Sequence, residues 1–248
     1  MNGVADTVRR VAFFDVDETL ISAKSMVAFH DWRFRQARGA LPSLDEVVKS
    51  AGPGASRAEL NRAYYRAFAG TAVADLAAAG RQWYDEYRRG AHAFVPAAVS
   101  ALREHAAAGH LVVLVSGSHH ACLDPLAEEL GADRLLCTEL RADAAGRLTG
   151  ELARPMIGPA KAEAVRALLA ETGVEARDCF AYGDHSSDLP LLQSVGSATV
   201  VGEDPVLLGH AAREGWARLP ASAGPWHGDA GAGQGGASRS FPRSPSLR

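Results

Sequence analysis

The 248 residues are 47% hydrophobic and 22% charged, with a formal charge of -3. That composition supports a buried core without disulfides or a structural metal, and it offers no basic field for nucleic acid or anionic lipid. Cys122, Cys137 and Cys179 are odd in number and widely spaced, which suits a reducing cytoplasm, and the strongest apolar run, Leu111–Val115, is far too short to span a bilayer.

Residues 1–10 contain no apolar stretch of signal-peptide length, so a cytoplasmic chain without membrane or nucleic-acid partners is expected. Val11–Val16 is short, apolar and rich in branched and aromatic residues, and reads as a buried strand with a polar end. Residues 22–92 carry Ala- and Arg-rich helical patterns, about Lys24–Arg38, Ser56–Ala69 and Val73–Arg89, and no convincing strand. Aromatic pairs four apart, Tyr64/Phe68 and Trp83/Tyr87, give this insertion a small core of its own. Beyond it come a helix at Pro96–Ala108, a strand at Leu111–Val115 and a helix at His119–Leu130. A hairpin is expected between Leu140 and Leu152, then a helix at Pro159–Glu171 and a strand at Cys179–Tyr182. A helix at Ser187–Ser194, a strand at Ser197–Val201 and a helix at Asp204–Glu214 complete the pattern. Alternation of this kind predicts an α/β fold, a Rossmann-like parallel sheet flanked by helices, formed by residues 1–21 and 93–220 with 22–92 as an inserted helical cap. Residues 221–248, rich in Gly, Ser, Ala and Pro, are expected to be disordered.

The chemistry concentrates where the strands end. Asp15, Asp17 and Thr19 form D-x-D-x-T after the first strand, the end at which open α/β sheets place their ligands. Carboxylates two residues apart repel unless a cation lies between them. The second strand stops at Ser116, Gly117 and Ser118, whose hydroxyl and backbone amides at a helix N-terminus suit phosphoryl oxygens. Lys161 opens the helix after Pro159, placed to neutralise such a group, and the third strand ends in a G-D-x-x-x-D loop presenting Asp184 and Asp188. Hard oxygen ligands of this kind suit Mg²⁺, and four carboxylates with a lysine and a hydroxyl at strand ends amount to a phosphoryl-transfer site.

In this order DVDET, the Ser of VSGS, Lys161 and GDHSSD resemble the four motifs of the haloacid dehalogenase superfamily, over about residues 11–215. The helical insertion after the first motif, and DLPLL after the last, are similar to the phosphoserine-phosphatase branch. The resemblance implies a Mg²⁺-dependent phosphatase in which Asp15 is the nucleophile forming an aspartyl-phosphate and Asp17 the general acid and base. Thr19, Ser116, Gly117 and Lys161 would hold the phosphoryl group. The metal would rest on Asp15, the Asp17 carbonyl and Asp184, with Asp188 ligating or orienting through water.

One departure bears on substrate. Nine residues past Asp15, where phosphoserine phosphatase has a glutamate for the substrate's amino group, stands Lys24, which argues against phosphoserine. Lys24, with some of Arg33, Arg35, Arg57, Arg62 and Arg66, is a candidate to greet an extra anionic or hydroxylated group, and His185 a candidate to touch the leaving group or the metal's outer shell. His119, His120 and Cys122 lack a second ligand pair for a soft metal. The expected partner is therefore a small phosphorylated metabolite. Two other functions fit the same residues: a phosphotransferase passing the phosphoryl group to another acceptor, and a non-catalytic module that binds metal or phosphate as a signal. Oligomeric state is not legible in the sequence.

Overall fold

The computed structural model describes residues 10–38 and 41–225. Its centre is the strand β1 (Val11–Phe14), wholly buried because it is apolar on both faces. Side-chain alternation sends Ala12 and Phe14 into one core and Val11 and Phe13 into the other. Parallel neighbours flank it, β2 (Leu111–His119) on one side and β5 (Phe180–Gly183) on the other. The seven-stranded sheet runs β4-β3-β2-β1-β5-β6-β7, with β3 (Arg134–Ala142), β4 (Leu148–Arg154), β6 (Ser197–Val201) and β7 (Ala217–Leu219); only β3 with β4 is antiparallel. Because the chain leaves β1 for one side and later returns to the other, the loops after β1 and β5 part and open a crevice at the carboxyl edge.

Helices cover both faces. α7 (Pro159–Thr172) closes the Val11/Phe13 face through Ala164, Val165, Leu168 and Leu169; Pro159 at its first turn fixes its start and Gly173, left-handed at φ +70°, ends it. α8 (Leu189–Leu192) and α9 (Pro205–Glu214) lie on the same side. The opposite face receives α5 (Pro96–Ala107), α6 (His120–Leu130) and, continuous with them, the helices between β1 and β2: α1 (Ser25–Gln36), α2 (Leu44–Ser50), α3 (Arg57–Arg66) and α4 (Val73–Tyr87). These four helices are tied down twice. α4 lies so close to α6 that a side-chain carbon on Gly80 would fall 1.7 Å from the Ala121 carbonyl oxygen. Arg81 pairs bidentately with Glu128 at 2.8 and 2.9 Å, and Tyr84 and Arg88 both reach Glu129. On the other side Gly70, Thr71 and Val73 exchange backbone hydrogen bonds with Gly146 and Leu148 of the β3–β4 hairpin.

Four differences from the sequence reading have physical causes. The hairpin is larger than Leu140–Leu152: its first arm begins at Arg134 and pairs in parallel with β2, so it is integral to the sheet. α2 was not anticipated, although Ser43 and Glu46 close a reciprocal cap at its start. β7 is three residues long, too short to carry a period. Order also continues past residue 220, where Gly224 exchanges two backbone hydrogen bonds with Phe94 at 2.8 and 3.1 Å; the rest of the expected tail, 226–248, lies outside the described residues.

Candidate active site

Asp15 follows β1 directly and donates its backbone N–H to the Tyr182 carbonyl of β5 at 2.9 Å, which locks it to the sheet edge. The chain then wraps tightly, the Val16 carbonyl accepting from the amides of Thr19, Leu20 and Ile21. Glu18 adopts φ +63° to make the turn. A left-handed non-glycine residue costs about 1–2 kcal/mol, and such strain concentrates at functional sites. The turn leaves the Asp17 carboxylate outside the group formed by Asp15, Asp184 and Asp188 and brings the Thr19 hydroxyl to Asp184 Oδ1, to which it donates at 2.9 Å.

At the centre, Lys161 Nζ from α7 reaches two carboxylates: Asp15 Oδ1 in a very short contact, and Asp188 Oδ1 at 2.6 Å. All three residues are buried. Carboxylate oxygens of Asp15, Asp184 and Asp188 lie within 4.8 Å of one another. Burial, and then the Asp188 charge, raise the Asp15 carboxyl well above the ordinary carboxylate range despite Lys161. The same two causes lift Asp184 to about 6. Burial alone would depress Lys161, but Asp15 and Asp188 outweigh it and keep the ammonium protonated. Three carboxyl groups crowded around one ammonium favour their neutral forms until further positive charge arrives, and these buried hard oxygen donors are the donor set that a magnesium-sized dication fits. The carboxylate of Asp17 is not among these three. It is raised chiefly by burial, opposed by neighbouring Ser25, and its Oδ1 is buried without a partner.

The supporting loops are held by residues the sequence did not single out. Thr138 donates its hydroxyl to the Gly117 carbonyl at 2.8 Å and accepts the Met156 amide at 3.0 Å, joining Ser116–Ser118, which the structure places within the end of β2 instead of after it, to the segment that leads into Lys161. Ser116 Oγ accepts the Ser118 amide at 3.1 Å. Asp204 caps α9 through Oδ1 and accepts the Ser186 amide through Oδ2 at 3.1 Å, fixing the loop between Asp184 and Asp188. Its signal, an Asp directly before Pro205, is legible as a helix cap but not as a brace for a second loop. Gly183 is the close-approach position: a Cβ there would lie 2.8 Å from the Asp188 Cβ.

Two expected substrate residues are not in this cluster. Lys24 is exposed and pairs with Glu18 at 3.4 Å. His185 is exposed, with Nδ1 accepting the Ser187 amide at 3.1 Å, so its ring caps its own loop. Arg35, Arg62 and Arg66 are exposed, and Arg33 lays its guanidinium over the rings of Phe68 and Phe29.

The family model of the haloacid dehalogenase-like hydrolases matches residues 12–193. A probable phosphatase of Mycobacterium tuberculosis is 33% identical over 223 residues, covering 86% of this chain and 76% of that protein. A phosphoserine phosphatase of the same organism, SerB1, is 31% identical over 216 residues, covering 83% and 68%. A crystal structure of a protein of unknown function from Bordetella pertussis superposes with a TM-score of 0.76 at 26% identity, over 87% of this chain and all of that one. The matched span contains Asp15, Lys161, Asp184 and Asp188, the residues drawn together at the sheet edge. The chain belongs to the haloacid dehalogenase-like hydrolase family, on its phosphatase side.

Proposed function

We propose that this hydrolase removes phosphate from a small metabolite monoester in two steps through a phosphorylated Asp15, with Mg²⁺ as cofactor. The observation that carries the reading is Lys161 bridging Asp15 and Asp188 with Asp184 alongside. A carboxylate attacks a phosphate dianion only when positive charge cancels their repulsion, and here a protonated lysine already touches the nucleophile. Asp15, Asp184 and Asp188, with the Asp17 carbonyl, would hold Mg²⁺, which when bound supplies charge neutralisation and orients the phosphoryl group. Ser116 and the amides of its loop, with Thr19, bind the phosphoryl oxygens.

Asp17 moves the protons. Burial favours its neutral form, so it is ready to donate to the departing alcohol oxygen as the P–O bond breaks. Ionised by that transfer, it takes a proton from the water that attacks the phosphoryl-Asp15. Helices α1–α4, within residues 22–92, act as the cap that excludes bulk water from this chemistry. No helix among the described residues is long and apolar enough to cross a membrane, and the three cysteines are free and buried, in keeping with work in the cytoplasm.

The test is phosphate release from a panel of phosphorylated metabolites by the Mg²⁺-loaded chain, with Asp15→Asn as the blank. Asp15→Asn is expected to be silent, and acid-quenched Asp17→Asn, given acetyl phosphate, whose acetate leaves without needing a proton, to gain one phosphoryl group by intact mass. Equal release by parent and Asp15→Asn would refute the nucleophile assignment.

A further inference from the structure

The end of β2 does not pair regularly. Ser116 stands opposite Cys137 of β3 and His119 opposite Thr138, so Gly117 and Ser118 bulge from the ladder and their peptide groups must find other partners. The Gly117 carbonyl accepts from two hydroxyls. Thr138, buried in β3, donates to it at 2.8 Å, and Tyr65, buried in α3, donates at 3.3 Å. The Tyr65 hydroxyl also lies within reach of the Thr138 hydroxyl, and 3.6 Å from the Met26 sulfur, a weaker acceptor than a carbonyl. Burial lifts the Tyr65 pKa well above the ordinary phenol range, which keeps the hydroxyl a donor. Behind the bulge, a Cβ on Gly117 would lie 3.3 Å from Ile157 Cγ1 and 3.5 Å from the Met156 carbonyl oxygen. The Gly117 peptide is thus held from the sheet by Thr138 and from the helical insertion by Tyr65.

A trans peptide is planar, and its carbonyl and N–H point in opposite directions. Fixing the Gly117 oxygen toward Thr138 and Tyr65 therefore fixes where the Ser118 N–H aims, and that group donates to Ser116 Oγ at 3.1 Å. A hydroxyl that accepts from an amide through one lone pair keeps its own hydrogen for another acceptor. The register of Phe14 with Leu114 sets Ser116 on the strand beside the end of β1 that carries Asp15. Hydrogen bonds arranged head to tail also polarise one another, so donors on the Gly117 carbonyl strengthen the bond from the Ser118 amide to Ser116.

Resting on the phosphatase reading above, in which Ser116 holds a phosphoryl oxygen, we infer that Tyr65 and Thr138 are positioning residues. Through the Gly117–Ser118 peptide they turn the Ser116 hydroxyl toward the phosphoryl group. Tyr65 belongs to α3, so its bond forms only while α3 sits over the end of β2, and closing the helical insertion completes the phosphate site. Because the pair acts on the phosphoryl group and not on the leaving group, its effect is the same for every substrate.

The experiment measures kcat/KM of the Mg²⁺-loaded full chain for acetyl phosphate and for the phosphate esters that the parent turns over. Tyr65→Phe, Thr138→Val and Thr138→Ser are each made alone and together with Ser116→Ala, with Tm as the check on folding. Tyr65→Phe is expected to lose about 3- to 10-fold, and Thr138→Val, which removes two bonds, about 10- to 100-fold, by the same factor on each substrate. Thr138→Ser keeps the hydroxyl and is expected to stay within about threefold of the parent. In the Ser116→Ala background the Tyr65→Phe and Thr138→Val losses are expected to shrink to about twofold or less, because the group through which they act is gone; a general loss of folding would persist there. If Thr138→Val does not fold, the cycle with Tyr65→Phe, which removes one oxygen and keeps the ring, decides alone. Losses that multiply with that of Ser116→Ala, losses that differ between substrates, parental activity in Tyr65→Phe, or a Thr138→Ser loss as large as that of Thr138→Val overturn this inference alone. No turnover of any phosphate by the parent, acetyl phosphate included, overturns the phosphatase reading and this inference with it.

Discussion

Replacing Gly183 by Ala probes whether the close contact between the end of β5 and Asp188 sets the geometry of the cluster. The new Cβ would lie 2.8 Å from the Asp188 Cβ and 3.2 Å from its Cγ and Oδ2. Ordinary carbon contacts begin near 3.5 Å, so Asp188 must retreat by roughly 0.7 Å. Its Oδ1 holds Lys161 Nζ at 2.6 Å, and the same ammonium holds Asp15, so the displacement passes along the whole chain of ion pairs. Overpacking a buried position costs about 1–3 kcal/mol, which for a chain of this size lowers Tm by roughly 3–10 °C. Displacing a residue that orients a metal-binding carboxylate typically weakens metal affinity about 10- to 100-fold, and a misplacement near 1 Å lowers turnover by about 100-fold. Thermal melts by circular dichroism, Mg²⁺ titration calorimetry and phosphate release measure the three quantities separately. A Gly183→Ala protein with Tm within about 1 °C of the parent, and Mg²⁺ affinity and kcat/KM within about twofold, would refute the argument that this glycine is required by steric contact.

Other expectations follow from single groups. Lys161→Ala leaves Asp15 and Asp188 buried without their cation; turnover is expected to fall by about 1,000-fold or more and Tm to drop, with partial recovery of Tm in the double variant Lys161→Ala/Asp188→Asn, and an unchanged Tm in the single variant would contradict the buried ion-pair account. Asp184 has to be ionised to bind metal, and its pKa is raised to about 6, so Mg²⁺ affinity should be steady above pH 7 and decline toward tenfold per unit below about pH 6; titrations showing no loss by pH 5 would count against it as a ligand. His119 is fully buried with its pKa lowered from 6.5 to about 3, so the unfolded chain binds the extra proton first and stability is lost as pH falls below 6.5. Between pH 7.5 and pH 5 that loss is about 2 kcal/mol, and the difference in denaturant stability between parent and His119→Phe should shrink or reverse over the same range; parallel curves would exclude the histidine as the source. Gly80→Leu forces α4 off α6, and should destabilise the chain by several kcal/mol, on the order of 3 or more, while Gly209→Leu, in α9, where a Cβ meets only the end of the Arg213 side chain at 3.5 Å, serves as a mild control for the loss of a helical glycine. Equal Tm values for the two would show that α4 and α6 do not need their close approach.

The strands at the core of the sheet and the residues of the site were legible because each depends on local pattern. Val11–Phe14, Leu111–Val115 and Ser197–Val201 are apolar runs whose length and branching suit only buried strands, and polar residues follow them where the sheet presents ligands. Asp15, Ser116, Lys161 and Asp184 could therefore be placed on strand ends or helix starts before any contact was known. The bracing roles of Asp204 and Thr138 are not legible, because the partners they brace, Ser186 and Gly117, are distant in sequence and leave no period or cap signal.

What the amino-acid order by itself determined is the identity of the chemical groups and the secondary elements that carry them, since dihedral preference and hydrophobic period act over a few residues. Tertiary structure alone decided which groups meet. Lys161 touches Asp15 across 146 positions of chain because the sheet order sets β1 beneath α7, and Lys24, much nearer in sequence, turns outward to Glu18 because solvating that exposed pair costs less than burying an unpaired ammonium.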